Sequence, residues 1–197
     1  MAANPARPSA RRVELLEAAY RYVLNQGLTD LSLRPLAAAV GSSPRVLMFL
    51  FGNKDGLVRA LLERARADEL ALLARIRTDG EHSAGLTTAA GEIWAWLRAD
   101  DHRALLRLWT EAYARSLIEP DGAWAGFATA TVTDWLDVLA GCQRADERDT
   151  ATGTAQRTLT LAILRGALLD LLASGDVERT DSAVHYQLGL LDSHRLG

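Results

Sequence analysis

The residues of this chain best suited to chemistry are cations and hydroxyls gathered around three expected helix starts between Ser32 and Lys54. Ser32 and Ser43 each precede an apolar-periodic run, the position where a hydroxyl satisfies a free backbone N–H of the first helical turn. Arg34 follows the first and Arg45 the second, while Lys54 follows Asn53 at the start of a third helix. Free N–H groups and partial positive charge at a helix N-terminus favour an anion, so a lysine placed there suits a phosphate. A guanidinium grips a phosphate, or the major-groove edge of guanine, with two donors at once. This is the chemistry of holding a polyanion rather than of making and breaking bonds. His82, His102, His185 and His194 have no metal-ligand spacing, and Cys142 has no histidine near it in sequence. Neither a glycine-rich phosphate loop nor a G-x-S-x-G run is present. No catalytic residue, metal site or cofactor is expected, and an enzyme is the weakest reading.

The elements that must hold these groups follow from periodicity. Leu33, Leu36, Ala37 and Val40 recur at helical spacing after Ser32, with Pro35 in the first turn, where its missing N–H costs little. Gly41 suits the left-handed conformation that ends such a helix, and Ser43-Pro44 starts the next, which runs to Phe51. Leu47 and Phe51 then face inward with Leu36 and Val40, leaving Arg45, Val46, Met48 and Phe49 outward. Gly52-Asn53 breaks the second helix, and Asn53 caps the third. Two helices joined at a steep angle by Gly41-Ser42-Ser43 read as a helix-turn-helix, which points to double-stranded DNA with the second helix in the major groove, or else to a small three-helix core with no partner. Ahead of it, Val13, Leu16, Tyr20, Val23 and Leu24 make one face of a helix ended by Gly27.

Composition fits a nucleic-acid contact at one end of the chain. Its 197 residues are 49% hydrophobic and 24% charged, the balance of a folded globular protein long enough for one sizeable core and a small satellite domain. No run of some 18 apolar residues and no signal-peptide pattern at the start points to a membrane. A single cysteine excludes an internal disulfide and suits a reducing cytoplasm. The net charge of −3 divides unevenly: residues 1–64 carry nine Lys or Arg against five Asp or Glu, and residues 65–197 carry thirteen against twenty. The positive part lies with the helix-turn-helix. Arg7, Arg11 and Arg12, near Pro5 and Pro8, read either as a flexible basic arm reaching a neighbouring groove or as a solubilising tail.

Glu17-Ala18-Ala19, Gly27, Ser32-Leu33, Leu36-Ala37, Gly41, Ser43, Leu47, Phe51, Lys54 and Leu57 stand in register over residues 11–57. This ordered set resembles the DNA-binding domain of the TetR family of transcriptional regulators. The resemblance implies a cytoplasmic repressor that binds a palindromic operator as a homodimer and is released by an apolar small-molecule effector. It divides the chain into an arm (1–10), a helix-turn-helix domain (11–57) and a helical ligand-binding and dimerisation domain (58–197). The expected DNA contacts are Ser32, Arg34, Ser43, Arg45, Val46, Met48, Phe49 and Lys54. Relatives usually carry a tyrosine and a polar residue where this chain has Met48 and Phe49, and those residues commonly touch the DNA backbone. Met48 cannot donate a hydrogen bond and Phe49 is apolar, so Arg45 is left to supply the polar contact. The apolar pair also keeps an alternative open, a helical protein-interaction module with a degenerate DNA face and no inducer.

Beyond Leu57 only helical periodicity appears, so the chain reads as all-α, a three-helix N-terminal domain followed by a larger helical one. A long helix carrying Leu57, Leu61, Leu62, Ala65, Leu70, Leu72, Leu73 and Ile76 ends near Asp79-Gly80. Further helices are expected over 83–99, 101–118, 122–139, 154–173 and 181–192. Trp94, Trp96, Trp109, Tyr113, Phe127 and Trp135 either fill a core or line an apolar cavity, and periodicity does not separate the two. The resemblance implies a ligand site in this part of the chain, for which Trp94, Trp109, Tyr113, Phe127 and Trp135 are the candidates. Glu111 and His102 are polar groups on the same helix, suited to anchoring a ligand or to a solvated face. Leu159, Ile163, Gly166, Leu169, Leu188 and Leu191 make an apolar surface that either packs internally or meets a second subunit; the resemblance implies a four-helix dimer interface there.

Overall fold

The computed structural model describes residues 9–28, 30–79 and 85–193. Arg7, Gly80, His82, Ser83 and His194, on which sequence expectations fell, lie outside them, as does the side chain of Ile76. Ten α-helices and one 3-10 turn account for the described residues, without a strand among them.

The first helix, α1 (Ala10–Gln26), starts where the Ser9 hydroxyl accepts from the Arg12 N–H at 3.2 Å. Arg11 and Arg12 therefore belong to a helix and not to an arm. Arg11 pairs with Glu14 at 2.9 Å and the Arg12 guanidinium lies 5.0 Å from the Phe51 ring centre. Helices α2 (Leu33–Ala39) and α3 (Pro44–Phe51) enclose the tight turn, with Gly41 at φ 62° and the Ser42 N–H bonded to Ala37 O at 2.8 Å. Ser43 caps α3 by accepting from the Val46 N–H at 3.3 Å. Ser32 holds the same position on α2 in extended conformation, but its hydroxyl makes no capping bond.

The fourth helix, α4 (Lys54–Asp79), opens with Asn53 Oδ1 accepting from the Gly56 N–H at 2.7 Å. A Cβ on Gly56 would lie 2.0 Å from the Phe51 carbonyl oxygen, so glycine is what lets the end of α3 sit against the first turn of α4. Leu15, Ala19, Val23, Leu36, Leu47, Leu57 and Leu61 close the core between these four helices. Each of the buried leucines contributes about 1.5–3 kcal/mol by leaving water.

The remaining helices are α5 (Gly85–Leu97), α6 (Arg103–Ile118) after the 3-10 turn Asp100–His102, α7 (Phe127–Gly141), the single turn α8 (Ala145–Arg148), α9 (Ala151–Ser174) and α10 (Val177–Ser193). The expected helix over 122–139 starts five residues late because residues 120–126 form turns. The first N–H groups of α7 are then met from outside, the Ala128 N–H donating to Ser116 Oγ of α6 at 3.1 Å. Leu70, placed on the buried stripe of α4 by spacing, is exposed. Helices α6 and α7 pack against α4, α9 packs on α7, α5 and α6, and α10 lies against α9 and α5. No described helix is long and apolar enough to cross a membrane.

Candidate functional site

Two places in the fold bring chemistry-bearing side chains together, one at the N-terminal end of α4 and the other beside Glu69 in its second half. At the N-terminal end, Arg45, Val46, Met48 and Phe49 point away from the core, and Phe49 is 85% exposed. Four side chains on one face of an eight-residue helix are exposed because the opposite face is held by Leu47 and Phe51. Ser32 and Arg34 on α2 and Lys54 at the first position of α4 are exposed as well. Ser43 is exposed with its hydroxyl engaged in the cap. The helix-turn-helix thus exposes three cations, Arg34, Arg45 and Lys54, together with the apolar Met48 and Phe49.

The second place is a cavity of about 330 Å³ between α4, α6, α7 and α9, and most of its lining is apolar. Trp109, Tyr113, Phe127 and Trp135 all line it, with Leu161 and Leu164 from α9. Trp94 does not. It is fully buried where α5 packs on α10 and its indole N–H donates to Asp181 Oδ1 at 2.9 Å. A tryptophan on α5 faces that seam because the helix buries its Leu86, Ala90, Ile93 and Leu97 stripe in the same direction. His102 also lies outside the lining, its ring stacked on Trp96 at 3.9 Å and its Nδ1 2.9 Å from Trp96 O. Glu111 is committed elsewhere, since its carboxylate accepts from the Leu28 N–H at 2.9 Å and so ties α6 to the loop after α1.

Four polar side chains that sequence reading passed over complete the cavity: Glu69 of α4, Thr131 of α7, Arg165 of α9 and Thr110 of α6, whose hydroxyl donates to Leu106 O at 2.9 Å. Glu69 is 1% exposed, and burial pushes its carboxyl up to about 7; the Trp135 indole N–H bond to Oε1 works in the opposite direction. Arg165 lies against Tyr113, its Nη1 donating to the phenol oxygen at 3.2 Å and its guanidinium 4.9 Å from the ring centre. Burial lowers its affinity for the proton. A signal existed for Glu69. It stands four residues after Ala65 and four before Leu73, so it shares their buried stripe, and an ionisable group in such a stripe is seldom structural filling.

The residues expected to meet a second subunit differ in exposure. Leu159, Gly166 and Leu169 are exposed on α9, with Ile163 half-buried. Leu188 points inward, 5% exposed, and Leu191 packs half-buried on the core, whereas Tyr186 and Leu190 occupy the outer side of α10. The correction follows from helical phase: α10 buries Thr180, Val184 and Leu188, which lie four apart. Cys142 is half-buried beside the C-terminus of α7, and burial pushes its thiol up, away from nucleophilic character. No cluster of His, Cys, Asp and Glu among the described residues is arranged to hold a metal ion.

An N-terminal helix-turn-helix joined to a helical bundle with a largely apolar cavity open on one side defines an all-α, two-part architecture. Its fold is that of the TetR family of transcriptional regulators, and the resemblance carried by residues 11–57 extends over the described chain. No family model matches the chain. A transcriptional regulator from Rhodococcus superposes with a TM-score of 0.72 at 20% identity, covering 91% of this chain and 94% of that one. The multidrug binding protein EbrR does so in complex with imidazole (TM-score 0.64, 25% identity, 94% of this chain and 93% of that one). In complex with proflavin the values are 0.63 and 24%, with 90% of this chain and 99% of that one covered. In sequence, the HTH-type transcriptional regulator BetI of Brucella anthropi is 32% identical over 126 residues, covering 54% of this chain; the chain spans 63% of the length of that relative.

Proposed function

We propose that this protein is a ligand-responsive repressor: its helix-turn-helix, residues 11–57, binds a palindromic double-stranded operator as a homodimer, and an apolar small molecule in the cavity of residues 58–197 releases it. The observation that carries this reading is the set of ties joining cavity helices to DNA-facing ones. Helix α4 presents Glu69 to the cavity, and the residue before it, Asp68, accepts from the Tyr20 hydroxyl of α1 at 2.8 Å. Its Arg64 pairs with Asp68 and, at 2.6 Å, with Glu17 of α1. Helix α6 presents Trp109 and Tyr113 to the cavity, and Glu111 between them holds the Leu28 N–H. A ligand that moves α4 or α6 therefore moves α1, against which α2 packs. EbrR, captured with two different small molecules, supports a ligand in a bundle of this kind.

On DNA, Lys54 and the first N–H groups of α4 meet a phosphate, Arg45 meets a phosphate or a guanine edge, and Phe49 packs on thymine methyl groups. The exposed apolar pair thus finds a use within the groove. Two subunits joined through α9 and α10 place their α3 helices on successive major grooves, about 34–36 Å apart. The ligand acts by binding the released arrangement more tightly than the DNA-bound one, and a difference of about 1–3 kcal/mol lowers operator affinity about 5- to 150-fold. The test is selection of bound fragments from the DNA around the protein's own gene at physiological salt, followed by titration of aromatic ligands against the selected site. A palindromic site released by a ligand that also quenches tryptophan fluorescence is expected. Equal binding to every fragment would remove the operator reading in favour of a protein-interaction module.

A further inference from the structure

We propose that the cavity takes an amphipathic monoanion, an apolar body of one or two rings bearing a single carboxylate that lodges among Arg165, Thr131 and Glu69. The inference rests on the reading of the cavity as an effector site and adds the charge and polarity of its occupant.

Three buried polar atoms in this lining, Glu69 Oε2, Thr131 Oγ1 and Arg165 Nη2, have no hydrogen-bond partner among the described residues. They come from α4, α7 and α9, and two of the three side chains are held in place by a second atom. The Trp135 indole N–H fixes Glu69 Oε1, and Tyr113 fixes Arg165 through its phenol and its ring face. Glu69 and Arg165 are therefore oriented by one partner, and all three side chains keep an open hydrogen-bonding position in a cavity whose remaining lining is almost wholly apolar. Buried polar groups are normally satisfied, so a matched occupant is the simplest complement to this trio.

Charge decides which occupant. Arg165 can only donate, and among the described residues no carboxylate lies in ion-pair contact with it, Glu69 acting on it only from beyond that distance. Glu69 serves in either state, accepting when ionised and donating when protonated, and burial brings the neutral form within reach near pH 7. The other groups acting on Glu69 are Arg66 and Asp134, which neutralise each other at 2.8 Å, and Arg165 itself; the Tyr113 phenol shares the cavity. With a carboxylate bound and Glu69 protonated, Arg165 and the ligand balance, and all three open positions are filled by donors facing one acceptor group. With an ammonium bound and Glu69 ionised, the cavity carries a net positive charge, which an apolar surrounding penalises heavily.

Three probes sharing one body separate these cases: 2-naphthoate, 2-naphthylmethanol and 2-naphthylmethylammonium, titrated calorimetrically into the full chain. At pH 6, 2-naphthoate should bind at least tenfold more tightly than the ammonium. As pH rises above 7 its affinity should fall towards tenfold per unit, because Glu69 must take up a proton, and parallel titrations in two buffers of different ionisation heat read that uptake in the wild-type protein. Arg165→Met should abolish the preference, and Glu69→Gln should bind 2-naphthoate without the pH dependence. Equal binding by all three probes, preference for the ammonium, or pH-independent binding of 2-naphthoate overturns the proposal and leaves the cavity as a site. Failure of all three at millimolar concentration removes the effector site and this inference with it. Selective binding of 2-naphthoate without any change in operator affinity upholds the carboxylate site and removes only the regulatory reading.

Discussion

Replacing Glu69 with glutamine should make the protein more stable above neutral pH and change it little in acid. The carboxyl is buried to 1% exposure and titrates at about 7 instead of its ordinary 4.5. A carboxyl raised in the folded state favours its neutral form there, so its contribution is fully present below pH about 4.5. It is lost as pH rises to about 7, above which both folded and unfolded chains carry the charge. At about 1.4 kcal/mol for each pH unit, the loss over that window is on the order of 3 kcal/mol. Glutamine never ionises, yet its amide oxygen accepts from the Trp135 indole as Oε1 does. Urea unfolding of both proteins at fixed concentration, followed by circular dichroism at half-unit steps from pH 5 to 8.5, gives two stability curves. Their difference cancels every other titrating group. The gap should widen by about 1 kcal/mol per unit between pH 5 and 7 and then stay constant. Parallel curves would show that Glu69 titrates at its ordinary value, and the electrostatic account of the cavity would fall with it.

Lys54→Ala should weaken binding to all DNA sequences and reduce the salt slope by about one, whereas Arg45→Ala should also relax base preference; unchanged affinity of both variants at matched salt would remove these contacts. Gly166→Arg should give folded monomers, because a Cβ there meets nothing within 4 Å in the subunit while an unpaired charge in a paired α9 face costs several kcal/mol. Sedimentation of that variant as a dimer, or of the wild type as a monomer at micromolar concentration, counts against the interface. Glu111→Gln should retain ligand binding and weaken the effect of ligand on operator affinity, since the charged acceptor for the Leu28 N–H is lost; an unaltered ratio of the two affinities would clear α6 of any part in the coupling.

What the sequence revealed well was local. Ser43-Pro44, Gly41 and Asn53 announce helix boundaries through backbone chemistry within three residues, and each acts as its spacing suggests. Ser32 shows the limit, because the position was right while the hydroxyl bond was not made. The aromatic residues were legible as a group but not singly. Trp94 and Trp109 have the same composition signal, and only the packing of α5 on α10 sends the first to Asp181 while α6 turns the second into the cavity. The outward side of α10 was misread at Leu188 for a related reason, since a run containing Leu188, Leu190 and Leu191 is apolar all round and its phase comes from the neighbour it meets. Glu69 and Arg165 were hidden because charged residues are presumed to face water, and their burial depends on helices nearly a hundred residues apart.

The contact between Gly56 and the Phe51 carbonyl has a mechanical consequence. Because only a glycine at 56 leaves room for the Phe51 carbonyl, α3 and the first turn of α4 meet in a close elbow, and the exposed face of α3 is carried at the end of α4. Lys54 and Glu69 are fifteen residues apart on that helix, about 22 Å along its axis. A tilt of about 5° pivoting near Glu69 therefore sweeps the helix-turn-helix end through about 2 Å, a displacement of the size by which packed helices shift when proteins switch state. On the proposed function, the length of α4 between cavity and helix-turn-helix is thus a source of gain, and a bound molecule needs to disturb its own surroundings only slightly to be felt at the far end.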